Sequence, residues 1–390
     1  MTVAYPFNEA GTLDLHEAYY EALAKPGLLR VRLPYGEPAW LATRYDDARL
    51  VLGDKRFSRA ESVKHDAPRM RPAMVDGGIL TMDPPDHTRL RTLVAKAFTV
   101  RRVEELRPRA REITTGLIKD MIAAGPPLDL VDMFALSLPV AVICELLGVP
   151  VGDRPRFRVW SDNALSTSRL TAEQFMASRE EMREYMRGLI ADHRANPRDD
   201  LMTALIEARD ERDRLSELEL VDLCSGILVA GHETTASQIP NFLLTLLDHP
   251  AAMARLRSDP ALIPGAVEEL LRFVPLGASS SFPRYAMTDV QVGDTLVRAG
   301  EPVLVAVGAA NRDGLRFADP DTLKVDAPPE QHLGFGHGVH HCLGAALARM
   351  ELQEALRALL LELPGLRLAG DVVWKKEMLV RGLVTMPVGW

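Results

Sequence analysis

The chain has 390 residues, of which 47% are hydrophobic and 26% charged, with a formal net charge of −8. That is enough apolar material for a large core, and the mild acidity argues against a nucleic-acid partner. The three cysteines, Cys144, Cys224 and Cys342, make no disulfide framework, no basic stub precedes an apolar run at the N-terminus, and no stretch of about 20 apolar residues is present to cross a bilayer, so a cytoplasmic protein without a membrane anchor is expected.

No repeat or Ser/Gly linker divides the sequence. His16 to Ala24 has a helical pattern. Leu28 to Leu33 and Ala39 to Thr43 flank Pro34-Tyr35-Gly36-Glu37, which reads as a hairpin. Tyr45 to Gly53 returns to helix. From Phe57 to Leu80 the chain is irregular, with Pro68, Pro72 and Gly77-Gly78, and a loop of that length in a compact domain is functional or mobile. Asp83-Pro84-Pro85-Asp86 marks a helix start. His87 and Arg91, four apart, share one face of that helix; two donors so placed suit an anionic group, although such a pair is also common on a solvated face. Lys96, Arg101, Arg102, Arg107, Arg109 and Arg111 then concentrate positive charge in a chain that is acidic overall, and as a group they would attract an acidic protein.

Residues 112–215 read as helices broken at Gly125-Pro126-Pro127, Gly148-Val149-Pro150 and Asn196-Pro197, with Cys144 in an apolar helix and a polar connection from Trp160 to Met176. Ser216 and Glu219 form a capping box. The helix that follows, Leu218 to about Leu247, is apolar on nearly every side and would span ~45 Å. In its middle lies Ala230-Gly231-His232-Glu233-Thr234-Thr235. A carboxylate and two hydroxyls in a buried helix cost free energy unless they have partners or a purpose, and Gly231 leaves room for something flat. Pro240 should kink or loosen the helix. Pro264 suits a first helical turn, and Glu269 and Arg272 share a face three residues apart. After Pro275 comes a loop with Ser279-Ser280-Ser281 and Arg284, then strands at Val290 to Val292 and Pro302 to Val307, and a last strand-like stretch from Met378 to Val388.

The stretch Leu333 to Arg349 is a glycine-rich loop that presents Cys342 and turns into a helix from about Leu343 to Leu361. A cysteine at a helix start is favoured as thiolate by the helix dipole and free N–H groups. Phe335-Gly-x-Gly-x-His-x-Cys342-x-Gly344 fixes six residue types in ten positions and resembles the haem-binding loop of the cytochrome P-450 monooxygenases, in the form seen in soluble bacterial members. The other motifs follow in the family's order.

The resemblance, which covers about residues 15–388, implies a mainly α fold with small β-sheets: a single domain, 1–390, with a β-rich part at about 28–45 and 285–310 and a helical part at about 86–275 and 343–361. It implies haem b with Cys342 as axial iron ligand; His87, Arg91, Arg284 and His340 toward the propionates; Phe335, Gly336, Gly344, Ala230 and Gly231 against the cofactor; Glu233 and Thr234 as the acid–alcohol pair that relays protons for dioxygen activation; and Glu269 and Arg272 as a structural pair. The reaction it implies is insertion of one oxygen atom from dioxygen into a C–H or C=C bond of a hydrophobic small molecule, such as a polyketide, terpenoid or steroid-like secondary metabolite. Electrons would come through a ferredoxin and its reductase to a monomeric enzyme, with the partner docked near the arginine-rich helix. The alternatives are a peroxide-using or non-oxygenating relative of the same fold, and a haem sensor or carrier. Two departures stand out: Gly314 replaces the family's usual proline after Asp313, and Ala327-Pro328-Pro329 stands where an arginine commonly completes the Glu269/Arg272 cluster, leaving His332 as a substitute. His337 and His341 have no role in this scheme and are rival imidazole ligands.

Overall fold

The computed structural model describes residues 2–8, 11–74, 77–210, 214–277 and 282–390, apart from the side chains of Val151 and Arg154. Ser279, Ser280 and Ser281 lie outside the described residues. The chain forms two compact units from interleaved segments: Met1–Asp83 with His249–Cys342 and Trp374–Arg381, and Pro84–Asp248 with Leu343–Val373 and Gly382–Trp390. The helices Pro250–Ser258 and Ile263–Phe273 fall in the first unit.

In the first unit a six-stranded sheet runs in the order Val3–Ala4, Leu29–Arg32, Ala39–Ala42, Pro302–Val305, Arg284–Ala286, Phe57–Ser58. The expected hairpin is present, with Leu29 opposite Leu41 and Val31 opposite Ala39. Its turn needs Gly36, which has φ +88° and whose added Cβ would lie 2.2 Å from the Ala67 carbonyl oxygen. Ala39–Ala42 pairs in parallel with Pro302–Val305. Alternate residues face opposite cores: Val31, Leu41 and Leu304 pack with Tyr5 and Tyr19, whereas Ala42, Val303 and Val305 pack with Val51, Phe317 and Leu333. The strand Pro302–Val305 is buried on both faces, which explains its unbroken apolar run. Asp313 accepts from the Tyr45 N–H at 2.9 Å at the start of the helix Tyr45–Gly53.

The second unit is organised on the helix Glu217–Asp248, 32 residues and ~48 Å long. Its capping box forms as expected: Ser216 N–H donates to Glu219 at 2.7 Å and Glu219 N–H to Ser216 Oγ at 3.2 Å. The helix continues through Pro240. Helices Ser137–Leu147, Arg154–Leu165, Ala172–Ala195 and Ala345–Glu362 pack on it. The polar connection expected from Trp160 to Met176 shrinks to residues 166–171, because Trp160 is buried inside one helix and Phe175 inside the next.

The arginine-rich helix Val100–Ala124 is less positive than its sequence suggests. Arg101 and Arg102 pair with Glu105, Arg109 with Glu112 and Glu145, and Arg107 and Arg111 with Glu354. The exposed pairs add little stability. The Glu354 carboxylate is buried, and its two arginines tie this helix to Ala345–Glu362. No helix among the described residues is long and apolar enough to cross a membrane.

Candidate active site

Each unit carries candidate residues of its own. In the first, the loop that presents Cys342 is fixed at its start by a chain of polar contacts. Arg272 donates to Glu269 through two 2.7 Å hydrogen bonds, and its remaining N–H groups reach the carbonyls of Asn311 at 3.0 Å, Pro320 at 2.8 Å and Thr322 at 3.2 Å. The Asn311 side chain then accepts from Leu333 N–H at 2.7 Å. The Arg272 side chain is 4% exposed, so this is not the weak surface pair that spacing alone describes. Lys324 N–H donates to Glu269 at 2.9 Å. His332 does not complete the cluster: its Nε2 lies 3.2 Å from Glu268, the neighbouring carboxylate, and its Nδ1 accepts from Gly334 N–H. Backbone carbonyls around Arg272 fill the place of a third charged member.

The loop then folds on itself. Gly336 has φ +73° and donates to Leu333 O at 2.8 Å. Gly338 has φ +72°, and a Cβ there would meet Leu52 O at 2.6 Å and Gly53 Cα at 2.8 Å. We expect Gly338→Ala to cost about 1–3 kcal/mol, the usual range for a strained backbone position, read as a lower thermal midpoint and lower haem content on purification. The backbone N–H of Cys342 is not free, as the helix-start reading had it, but donates to Phe335 O at 2.8 Å. The Cys342 residue is exposed, whereas Cys144 and Cys224 are buried. Burial pushes the Cys224 thiol up to about 12, as expected of a core cysteine. His340 ends the short helical turn Gly338–His340, and His341 N–H closes that turn on Gly338 O. His337 packs its ring against Gly53, and burial, then Arg49, lowers its pKa below the usual histidine value. Arg284 is 5% exposed in the strand Arg284–Ala286; burial holds its pKa down to about 10 against the attraction of Asp83.

In the second unit, the long helix lays bare one strip of small residues, Gly226 and Ala230, with Thr234 partly accessible a turn later, while His232, Glu233 and Thr235 are buried. Thr234 Oγ1 donates to Ala230 O at 2.8 Å, the previous-turn contact its position suggested. Glu233 is 0% exposed and accepts from Ser237 Oγ at 3.3 Å. The reading of Gly231 as room for a flat group needs correction. A Cβ there would meet Ile143 Cδ1 at 2.7 Å, so the glycine lets the helix Ser137–Leu147 pack close. His87, buried, and Arg91, partly buried, lie on the helix Asp86–Ala95. Sequence reasoning passed over Glu351. It is completely buried in Ala345–Glu362, neither of its carboxylate oxygens has a hydrogen-bond partner among the described residues, and burial drives its pKa well above the usual carboxylate value. The signal was there: Glu351 lies one turn after Leu347, on a stripe where the helical period calls for an apolar side chain.

In the first unit an accessible cysteine on a tightly turned glycine loop offers a thiolate ligand to a metal; in the second, the long helix is bared along a strip of small residues. The cytochrome P450 family model matches residues 14–387, and the chain belongs to that family. It is a haem-dependent monooxygenase, the haem being iron protoporphyrin IX. Among curated proteins it is 55% identical, over 99% of its length and 98% of the relative's, to mycinamicin IV hydroxylase/epoxidase of Micromonospora griseorubida. It is 50% identical, over 100% and 99%, to nocardicin C N-oxygenase of Nocardia uniformis subsp. tsuyamanensis. Among solved structures, HinD with NMFT and NO superposes with a TM-score of 0.97 at 48% identity, covering 100% of both chains.

Proposed function

We propose that the chain, as one P450 domain over residues 1–390, oxygenates a C–H or C=C bond of a hydrophobic secondary metabolite of macrolide-like size, and that Cys342 would hold the haem iron through its thiolate. The observation that carries this is Cys342 itself, exposed on a loop closed by its own N–H to Phe335 O while both other cysteines are buried. The full-length likeness to a hydroxylase/epoxidase of a macrolide supports the substrate class. The donor set fits haem. His87, Arg91, Arg284 and His340 would hold the two propionates. Phe335, Gly336, Gly344 and Ala230 would lie against the ring; Gly336 and Gly344 leave open space, with no atom nearer than 3.9 Å to an added Cβ.

When bound, haem supplies the activation of dioxygen by two electrons. The chain supplies position and protons. Thr234 Oγ1, anchored on Ala230 O, offers a hydroxyl that passes on one proton and is reprotonated. Glu233, beside Ser237 and one residue away on the helix, is the carboxyl that replenishes it. Glu269 and Arg272 hold the fold under the Cys342 loop and take no part in the chemistry. Electrons arrive from a ferredoxin and its reductase, and the enzyme works as a monomer in the cytoplasm. A proton relay separates this reading from a sensor, a carrier or a peroxide-using relative. Thr234→Ala is expected to release several times more peroxide per reduced nicotinamide consumed, with product formation falling about tenfold or more, within the usual range for a positioned proton donor. Unchanged coupling would remove the relay.

A further inference from the structure

Outside these motifs, one cluster in the first unit is built for an anion. The strand Phe57–Ser58 pairs antiparallel with Arg284–Ala286, Phe57 opposite Ala286 and Ser58 opposite Tyr285. The strand ends there: Arg59 follows with helical backbone angles, close enough to Arg284 for the two positive charges to repel each other. Asp83 stands close by, but its carboxylate is engaged elsewhere: it accepts from Ser58 Oγ at 2.5 Å and from the backbone N–H groups of Arg59 at 3.0 Å and Ala60 at 3.4 Å. The Arg59 guanidinium has two contacts of its own, a 3.0 Å hydrogen bond from Nη1 to Leu80 O and the ring of Phe282, whose centroid is 4.8 Å from Cζ. Its Nε is buried with no hydrogen-bond partner among the described residues. A buried guanidinium N–H without an acceptor is expensive to leave unmet.

Two guanidinium groups therefore share one carboxylate, which leaves a surplus positive charge in a desolvated place. The arginines register it: burial and then Arg284 bring the Arg59 pKa down to about 9, against the pull of Asp83, and Arg284 is depressed as well. A planar fork with an open Nε beside a second arginine matches a carboxylate. We propose that Arg59 and Arg284 form a two-arginine carboxylate subsite, in which Arg59 is a second arm on the haem propionate that Arg284 binds. This rests on the haem reading of the first unit.

The test measures haem transfer from the purified, haem-loaded full chain to excess apomyoglobin, for the native sequence, Arg59→Gln and Arg59→Lys, each loaded with haem or with haem dimethyl ester. Arg59→Gln is expected to lose haem about tenfold faster, the loss of one charge-assisted hydrogen bond, with Arg59→Lys in between. With the dimethyl ester, which has no carboxylate, the three proteins should release at equal rates. Equal rates with ordinary haem, or an equally large defect with the ester, would overturn the assignment. If haem loss is unchanged while Arg59→Gln weakens the spin-state response to decanoate and not to decanol, the carboxylate belongs to a substrate and the propionate assignment fails. The carbon monoxide spectrum of each reduced variant keeps the two questions apart: a thiolate band in all of them leaves the haem reading standing, whatever the fate of Arg59.

Discussion

Replacing Arg272 by methionine is expected to remove about 3–5 kcal/mol of stability, the range for breaking a buried ion pair by deleting one partner. Total stabilities of 5–15 kcal/mol make that a severe loss. The cost has identifiable sources. The Glu269 carboxylate would keep Lys324 N–H but lose two charge-assisted hydrogen bonds. The carbonyls of Asn311, Pro320 and Thr322 would each lose a donor in a place water does not reach freely. Because Asn311 also holds Leu333 N–H, the disturbance should pass into the loop that ends at Cys342. The expected result is a thermal midpoint many degrees lower and little haem retained on purification. Arg272→Lys keeps the charge but not the planar fork, and should fall between. A midpoint within a degree of the native protein would mean that the cluster is incidental.

Glu351 makes the second large effect, and its sign depends on pH. Its folded pKa is raised, so the folded protein holds it as the neutral acid while the unfolded chain ionises it near the ordinary value. The neutral-state stability is complete below the unfolded pKa and drains away as pH rises toward the folded pKa. One proton gives a slope of at most about 1.4 kcal/mol per pH unit over that window. Glu351→Gln keeps the shape but has nothing to ionise. Thermal midpoints measured from pH 5 to pH 9 should start close together and separate, the glutamine variant becoming the more stable as pH rises. Parallel curves would show that Glu351 meets no ionisation cost in the fold.

The fold was legible where a period or a turn spelled it out. The hairpin around Gly36, the helix Tyr45–Gly53 and the capped helix from Glu217 lie where alternation, helical period and the Ser216/Glu219 box place them. The order of the four motifs carried the family. What could not be read was which contacts the fold would assemble from distant segments. Spacing gives Glu269 and Arg272 the value of a surface pair; burial among three backbone carbonyls gives them a much larger one. Composition makes the helix Val100–Ala124 a cationic patch; carboxylates from its own turns and from Glu145 and Glu354 neutralise most of it. Gly231 looked like room for a cofactor, but Ile143, 88 positions earlier, takes that room. Arg59 carried no motif and Asp83 only a helix-start signal, and it is the pairing of Ser58 with Tyr285 that brings their chemistry to Arg284. Apart from the pairs within the turns of Val100–Ala124, which are local, these misses are long-range juxtapositions that local sequence does not encode.

The central claim is that Cys342 holds haem iron as a thiolate. The absorption spectrum of the dithionite-reduced protein under carbon monoxide, taken beside that of Cys342→Ser, tests it most directly. The native protein should give the red-shifted Soret band of a thiolate-ligated haem, and the serine variant should lose it. A band at the imidazole position in both proteins would place a histidine such as His337 or His341 on the iron and contradict the assignment.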